Sequence, residues 1–169
     1  MVTQTRQQQQ MTGTHGGTSN DVMQSLVSTQ ANAISSYLNY KRYHWFTFGP
    51  HFRDLHLFFD EVAEAALGEV DPFGERLRML GGDAISHPRE IERAATITLA
   101  EGKPNPREML QQALDNEHRI IDGMRRGAKQ AEECGDYGTN DLFSQHVQTH
   151  EKYAWFIDEF LKKNDGMGM

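Results

Sequence analysis

Two histidines and three acids between positions 43 and 82 are the residues best equipped for chemistry: His44, His56, Asp60, Asp71 and Glu75. Imidazole nitrogens combined with hard carboxylate oxygens, and no thiolate among them, suit a redox-active divalent metal. The same residue types also make up the solvated faces of ordinary helices. Which reading holds depends on the elements that carry them.

Ser19, Asn20 and Asp21 offer capping oxygens for a helix beginning near Val22. Val27, Ala31, Ile34, Leu38 and Trp45 recur at helical spacing, and Gly49-Pro50 ends the helix after Phe48, with His44 at the edge of the stripe. A second helix is expected over about 51–80, stopped by Gly81-Gly82. At about 100° per residue, Leu55, Phe58, Phe59, Val62, Ala66, Phe73, Leu77 and Leu80 share one face of it. His56, Asp60, Glu64, Asp71 and Glu75 occupy another arc, centred roughly 150° away. These acids and His56 therefore point away from the core their own helix builds. Leu57 and Leu67 lie on or beside that arc, and acids mixed with a histidine and leucines suit a protein–protein contact. Pro72, with Gly68 and Gly74 nearby, weakens the helix at a cost of roughly 3 kcal/mol. Because the apolar period continues in phase across it, the expectation is a kink near Asp71 and not a loop over 68–74.

Residues 81–105 form a long connection that should hold structure of its own, with a short helix over 88–95 crossing the outside of the bundle. Asn105-Pro106-Arg107-Glu108 is a strong helix start, and Leu110, Leu114, Ile121, Met124 and Ala128 carry that helix to about Glu133. After Gly135, Thr139 is expected to cap a last helix bearing Leu142, His146, Tyr153, Ile157 and Phe160. Four long helices with one long crossover between the second and third give an all-α fold, a ferritin-like four-helix bundle with a short extra helix in the crossover.

The chain of 169 residues is long enough for one domain with a real core, expected over 21–163. Residues 1–20 read as a disordered polar tail in which Arg6 is the single basic residue and His15 is idle; 164–169 read as a short flexible tail. The formal net charge of -7 argues against a general phosphate-binding surface and favours cations. Cys134 is the only cysteine, so no intrachain disulfide can form and a reducing compartment is expected. No apolar run is long enough for a membrane span, and the N-terminus lacks the apolar core of a signal peptide. The expected localisation is cytoplasmic.

A di-iron site inside the bundle would need inward Glu residues from two helices and a Glu-x-x-His from each of the other two. The nearest match is Asp115-x-x-His118, found once and with the shorter acid, while His146 and His150 form an i, i+4 pair equally explained by the bundle edge. The sequence argues against an intra-bundle site.

The arrangement His44-x11-His56-x14-Asp71-x3-Glu75 resembles the ferroxidase motif of the Dps family, the miniferritins named as DNA-binding proteins from starved cells. The surrounding residues resemble it too: YHW at 43–45, the FxxLHxxFDE pattern at 52–61, ERLxxLGG at 75–82 and KYAWFIDEFL at 152–161. The resemblance covers roughly 22–163 and implies a hollow dodecamer. It implies an iron site at a two-fold interface, with His44 and His56 from one subunit and Asp71 and Glu75 from its neighbour. By the same resemblance Glu75 bridges two irons, His44 and Asp71 complete the stronger site and His56 serves the weaker. Asp60 is a ligand or, by preference, a hydrogen-bond partner of one. Tyr43 and Trp45 lie near the centre, where aromatics can take up stray oxidising equivalents or simply pack. The implied reaction is oxidation of Fe(II) by hydrogen peroxide with storage of Fe(III) mineral; zinc is a possible substitute in the same site. Asp136 and Asp141 match the region lining the three-fold pores, with a plain solvated turn as the competing reading. Pro72, directly after Asp71, departs from the pattern, and the N-terminal stretch has no lysine, so DNA binding is not expected from it. The competing reading is a DNA-compacting structural protein whose metal site is secondary or disabled.

Overall fold

The Ser19 hydroxyl accepts a hydrogen bond from Val22 N and starts α1 (Asn20–Phe46), which ends two residues earlier than Phe48 at the C-cap Thr47. Gly49, at φ +95°, reverses the chain into α2 (Phe52–Met79). The computed structural model describes residues 19–162. The N-terminal stretch, with Arg6 and His15, and the C-terminal stretch from 163 lie outside the described residues. The crossover contains α3 (Pro88–Ala94), none of whose residues is buried and which packs on α1. Then follow α4 (Pro106–Glu133) and α5 (Tyr137–Leu161). Asn105 and Glu108 form the expected capping box at the start of α4. The start of α5 differs from expectation. Asp136 is the cap, accepting from Thr139 N, and Thr139 is fully buried one turn inside the helix.

Four long helices form the bundle, with α1 against α2, α4 against α5 and α4 reaching α1. α2 runs unbroken through 68–74. Gly68 is exposed, so the carbonyl that lacks the N–H of Pro72 faces solvent, which limits the cost of the proline. Leu55, Phe58, Phe59, Val62, Ala66, Phe73 and Leu77 are buried as the periodicity requires.

The expected stripe on α1 is largely the wrong face. Of its members only Ala31 is buried, while Leu38 is 59% and Trp45 70% exposed. The buried face instead mixes Leu26, Tyr40 and Tyr43 with Asn32, Ser35, Ser36 and Asn39. The cause is the irregular crossover segment after α3, whose backbone needs polar partners once it lies on the bundle. Asn32 pairs with Thr96, Asn39 with the Thr98 carbonyl and the Ala100 N–H, and Asn116 of α4 closes on Thr98 from the other side. In α5, too, the buried residues are Thr139, Phe143, His150, Tyr153, Ala154 and Ile157, with Phe160 exposed.

The core is split in two. One apolar cluster is built on Tyr43, Phe59, Met109 and Ile157, the other on Leu26, Phe73, Met124 and Phe143. Between them along each helix lie buried charged residues: Glu69 on α2, Glu117 on α4 and His150 on α5.

Candidate metal centre

The turn between α1 and α2 brings His44 and His56 face to face. Their rings stack with centroids 3.6 Å apart and 21° between planes, and Phe52 stacks on the far side of His56 at 5.1 Å. Each ring is fixed by the backbone of the other. His44 Nδ1 lies 2.7 Å from the His56 carbonyl, and His56 Nδ1 2.9 Å from the His44 carbonyl. A carbonyl only accepts, so each Nδ1 carries the hydrogen. In the neutral imidazole this leaves the Nε2 lone pair available on both rings. Two preset imidazoles with like tautomers are what a metal needs from histidine.

Asp60 lies one turn after His56 but is committed elsewhere. Its Oδ1 is 2.5 Å from Lys41 Nζ and 3.8 Å from His44 Nδ1, and Lys41 also reaches Glu64 at 3.0 Å. The Lys41 hydrogen bond holds the Asp60 carboxyl below its usual range, so it stays ionised. Tyr43 is buried beside the pair, its hydroxyl donating to Gln112 at 2.5 Å, and burial pushes the phenol well up. Trp45 projects outward.

Asp71 and Glu75 are exposed on α2, on the arc that also exposes Leu57 and Leu67. They are not part of the histidine cluster of the same chain. Asp71 is fifteen residues beyond His56, roughly 22 Å along the helix at 1.5 Å per residue. Among the described residues of one chain, no three His, Cys, Asp or Glu side chains are arranged to hold a metal ion. Glu75 is followed by Arg76, which pins this end of α2 to α5 through Asp136 (2.5 Å) and Thr139 (2.8 Å). Of the two acids expected at a pore, Asp136 is thus a helix cap and ion-pair partner. Burial opposes its ionisation, but Thr139 and Arg76 outweigh it and lower its pKa. Asp141 is exposed and accepts from Gln145 at 2.6 Å.

Sequence reasoning missed the buried charged layer. His150 Nδ1 donates to Glu117 at 2.6 Å and its Nε2 to Glu69 at 3.0 Å; His146 Nδ1 is 3.2 Å from Glu69, and the Tyr40 hydroxyl donates to Glu117 at 2.5 Å. Burial alone would strip the proton from His150, but Glu117 and Glu69 reverse this and raise its pKa to about 10. For Glu69, burial pushes upward and the two histidines win, lowering it. A signal was present: Glu69 follows Ala66 by three and precedes Phe73 by four, and Glu117 stands likewise between Leu114 and Ile121. Acids inside an apolar stripe should be read as buried and paired. Asp115 and His118, the pair the sequence offered for this interior, are both exposed.

A sequence model of the ferritin-like domain matches residues 23–167. The structure of Dps from Thermosynechococcus elongatus superposes with a TM-score of 0.85 at 43% identity, covering 88% of this chain and 94% of that one. The chain belongs to the Dps family of ferritin-like proteins. It is 30% identical over 141 residues to DNA protection during starvation protein 1 of Deinococcus radiodurans, 83% of this chain and 68% of that protein. The Dps protein of Vibrio cholerae O1, described as a member of a broad superfamily of ferritin-like diiron-carboxylate proteins, superposes with a TM-score of 0.83 at 25% identity, covering 94% of this chain and all of the other. The all-α bundle with its extra short helix is the family fold.

Proposed function

We propose that this Dps protein oxidises Fe(II) with hydrogen peroxide at a centre shared between two subunits and retains the Fe(III) as mineral inside a hollow dodecamer. The observation that carries this is the histidine pair, locked by reciprocal hydrogen bonds with both Nε2 atoms left to bind. Iron fits this donor set, since imidazole with carboxylate suits Fe(II), and zinc can take the same donors. His44 and His56 come from one subunit. Asp71 and Glu75, too far along α2 to join them, come from the neighbour, with Glu75 between two ferrous ions. The exposed Leu38, Trp45, Phe52, Leu57 and Leu67 around these residues are the apolar surface such a contact would cover. Asp60, tied to Lys41, orients the centre and is not a ligand.

The chemistry needs little from the protein beyond geometry. Two ferrous ions give one electron each to one peroxide, which takes up two protons and leaves as two waters, so no hydroxyl radical is released. Protection of DNA, for which the Deinococcus relative is named, then follows from removing peroxide and ferrous iron together. An acidic chain draws cations toward the shell, and Asp141, exposed near the start of α5, is the acid we assign to an entry pore.

The test is anaerobic Fe(II) loading followed by peroxide, with iron oxidation followed optically in wild type, His44→Ala, Glu75→Gln and a one-to-one co-assembly of the two variants. Each variant alone should be slow. The mixture should regain activity, because half-sites from different subunits complete some centres. Wild-type rates in both variants, or no recovery in a verified mixed assembly, would overturn the shared site.

A further inference from the structure

α3 starts on a cap of an uncommon type. His87 holds the N-cap position with Pro88 after it, and its imidazole Nδ1 accepts a hydrogen bond from Arg89 N at 3.2 Å. The His87 carbonyl takes the next two donors, Glu90 N at 2.9 Å and Ile91 N at 3.1 Å. Pro88 has no N–H, so Arg89 carries the first donor of the helix and the ring supplies its acceptor. We propose that His87 is an acid-sensitive latch: its free base holds α3 wound, and protonation lets residues 86–95 loosen into a strap while the bundle and the rest of the crossover stay in place.

The chemistry of the ring fixes the sign. Histidine is the side chain that gains a proton between pH 8 and 5. With a hydrogen on both ring nitrogens the imidazole can only donate, and Arg89 N loses its acceptor. The added positive charge also faces the positive end of the helix dipole. Glu90 in the first turn offsets part of that charge, but it does not give Nδ1 back its lone pair.

The place of α3 in the fold makes this one bond matter. The helix has seven residues and buries none, and one so short does not sustain itself in water. The chain is tied to α1 on both sides of it. Before α3, Ile85 N donates to Gln30 Oε1 at 2.9 Å. After it, Thr96 N donates to Asn32 Oδ1 at 2.8 Å, and Asn32 Nδ2 donates to Thr96 Oγ1 at 2.9 Å. None of these groups titrates, so both anchors hold when the latch opens. Among the described elements α3 packs only on α1, and around the two anchors that helix has no ionisable side chain from Val22 to Ser36. The other charged groups are Asp83, paired with Arg78, and Arg89, Glu90, Glu92 and Arg93 of α3 itself. Carboxylic acids ordinarily titrate below the histidine range and arginine above it, which leaves His87 to drive the change near neutral pH.

The test is amide hydrogen exchange of the assembled full-length protein, read by mass spectrometry at pH 8 and pH 5 and corrected for the intrinsic effect of pH on exchange. In wild type the protection of residues 89–93 should fall about five-fold between the two, the factor that a lost helix cap commands. Residues 96–100 and α1 should keep theirs. His87→Ser, whose hydroxyl caps without titrating, should hold its protection at both pH values, and His87→Ala should be low at both. His87 is exposed, so both variants should melt as wild type does. Unchanged protection in wild type, or an equal loss in His87→Ser, overturns the latch. Loss over 96–100 together with 89–93 overturns the strap, because the crossover then opens as a whole.

Discussion

His150 is protonated in the fold at pH values where a free histidine is not, and this makes a pH-dependent stability of definite sign. Its native pKa is raised to about 10 from an ordinary 6.5, because Glu117 and Glu69 overcome the burial that opposes the charge. Below pH 6.5 both the folded and unfolded states hold the proton, and the full stabilisation is present. Between 6.5 and 10 only the folded state holds it, so stability falls by about 1.4 kcal/mol per pH unit as pH rises. The whole span amounts to roughly 5 kcal/mol, and the interval from pH 7 to 9 to roughly 3 kcal/mol, or about 5–10 °C in melting temperature for a chain of this size. Glu69, lowered by the two histidines, contributes at the opposite end and is lost only in acid, below the ordinary carboxylate range. The measurement is thermal or guanidinium unfolding of wild type and His150→Gln at pH 7, 8 and 9. The wild type should lose stability more steeply than the variant by about one proton's slope. Equal slopes would refute the claim that His150 is held charged between the two carboxylates.

Three further outcomes follow from the geometry. Lys41→Met should untie Asp60 and free it to serve as an added ligand, increasing the affinity for the second Fe(II) in anaerobic calorimetry with little change in the unfolding midpoint, since the ion pair is solvent-screened. Pro72→Ala restores a donor to the Gly68 carbonyl and should stabilise α2 by up to about 3 kcal/mol, read from the guanidinium midpoint; no gain would mean that the helix already accommodates the ring without strain. Asn105→Ala removes one half of the capping box and should cost about 1 kcal/mol by the same measurement, leaving iron oxidation unchanged.

What the sequence revealed and what it hid have a common cause. α2 was legible because its apolar period is unbroken from Leu55 to Leu77, and the arc opposite inherits its outward direction from that face. α1 was not, because periodicity counts only apolar residues, whereas this helix buries asparagines against an irregular crossover segment that sequence cannot place. With the polar side taken for solvent, Leu38 and Trp45 were drawn inward, although they are the residues left open at the surface. The α5 cap went astray for a similar reason. Asp136 and Thr139 are both good caps by type, and it is Arg76, sixty residues earlier, that engages both and seats Thr139 inside. The His44–His56 ring stack was likewise out of reach, since the sequence gives their separation along the chain but not the turn that folds one onto the other.

The molecule uses histidine and carboxylate in two places with opposite results, and hydrogen bonding decides which. In the bundle interior His150 has both ring nitrogens facing carboxylates, and Glu69 and Glu117 are occupied by His146, His150 and Tyr40. A metal entering there would have to displace protons from a charged, mutually satisfied set, at the cost of an unpaired buried charge. At the α1–α2 turn each histidine spends only Nδ1, on a backbone carbonyl that asks for nothing but a hydrogen. One nitrogen per ring remains, on a surface whose leucines and aromatics are uncovered in the single chain. The interior set therefore serves to tie α2, α4 and α5 together. The exterior set is the half that, in the proposed shared centre, would meet Asp71 and Glu75 of a second copy.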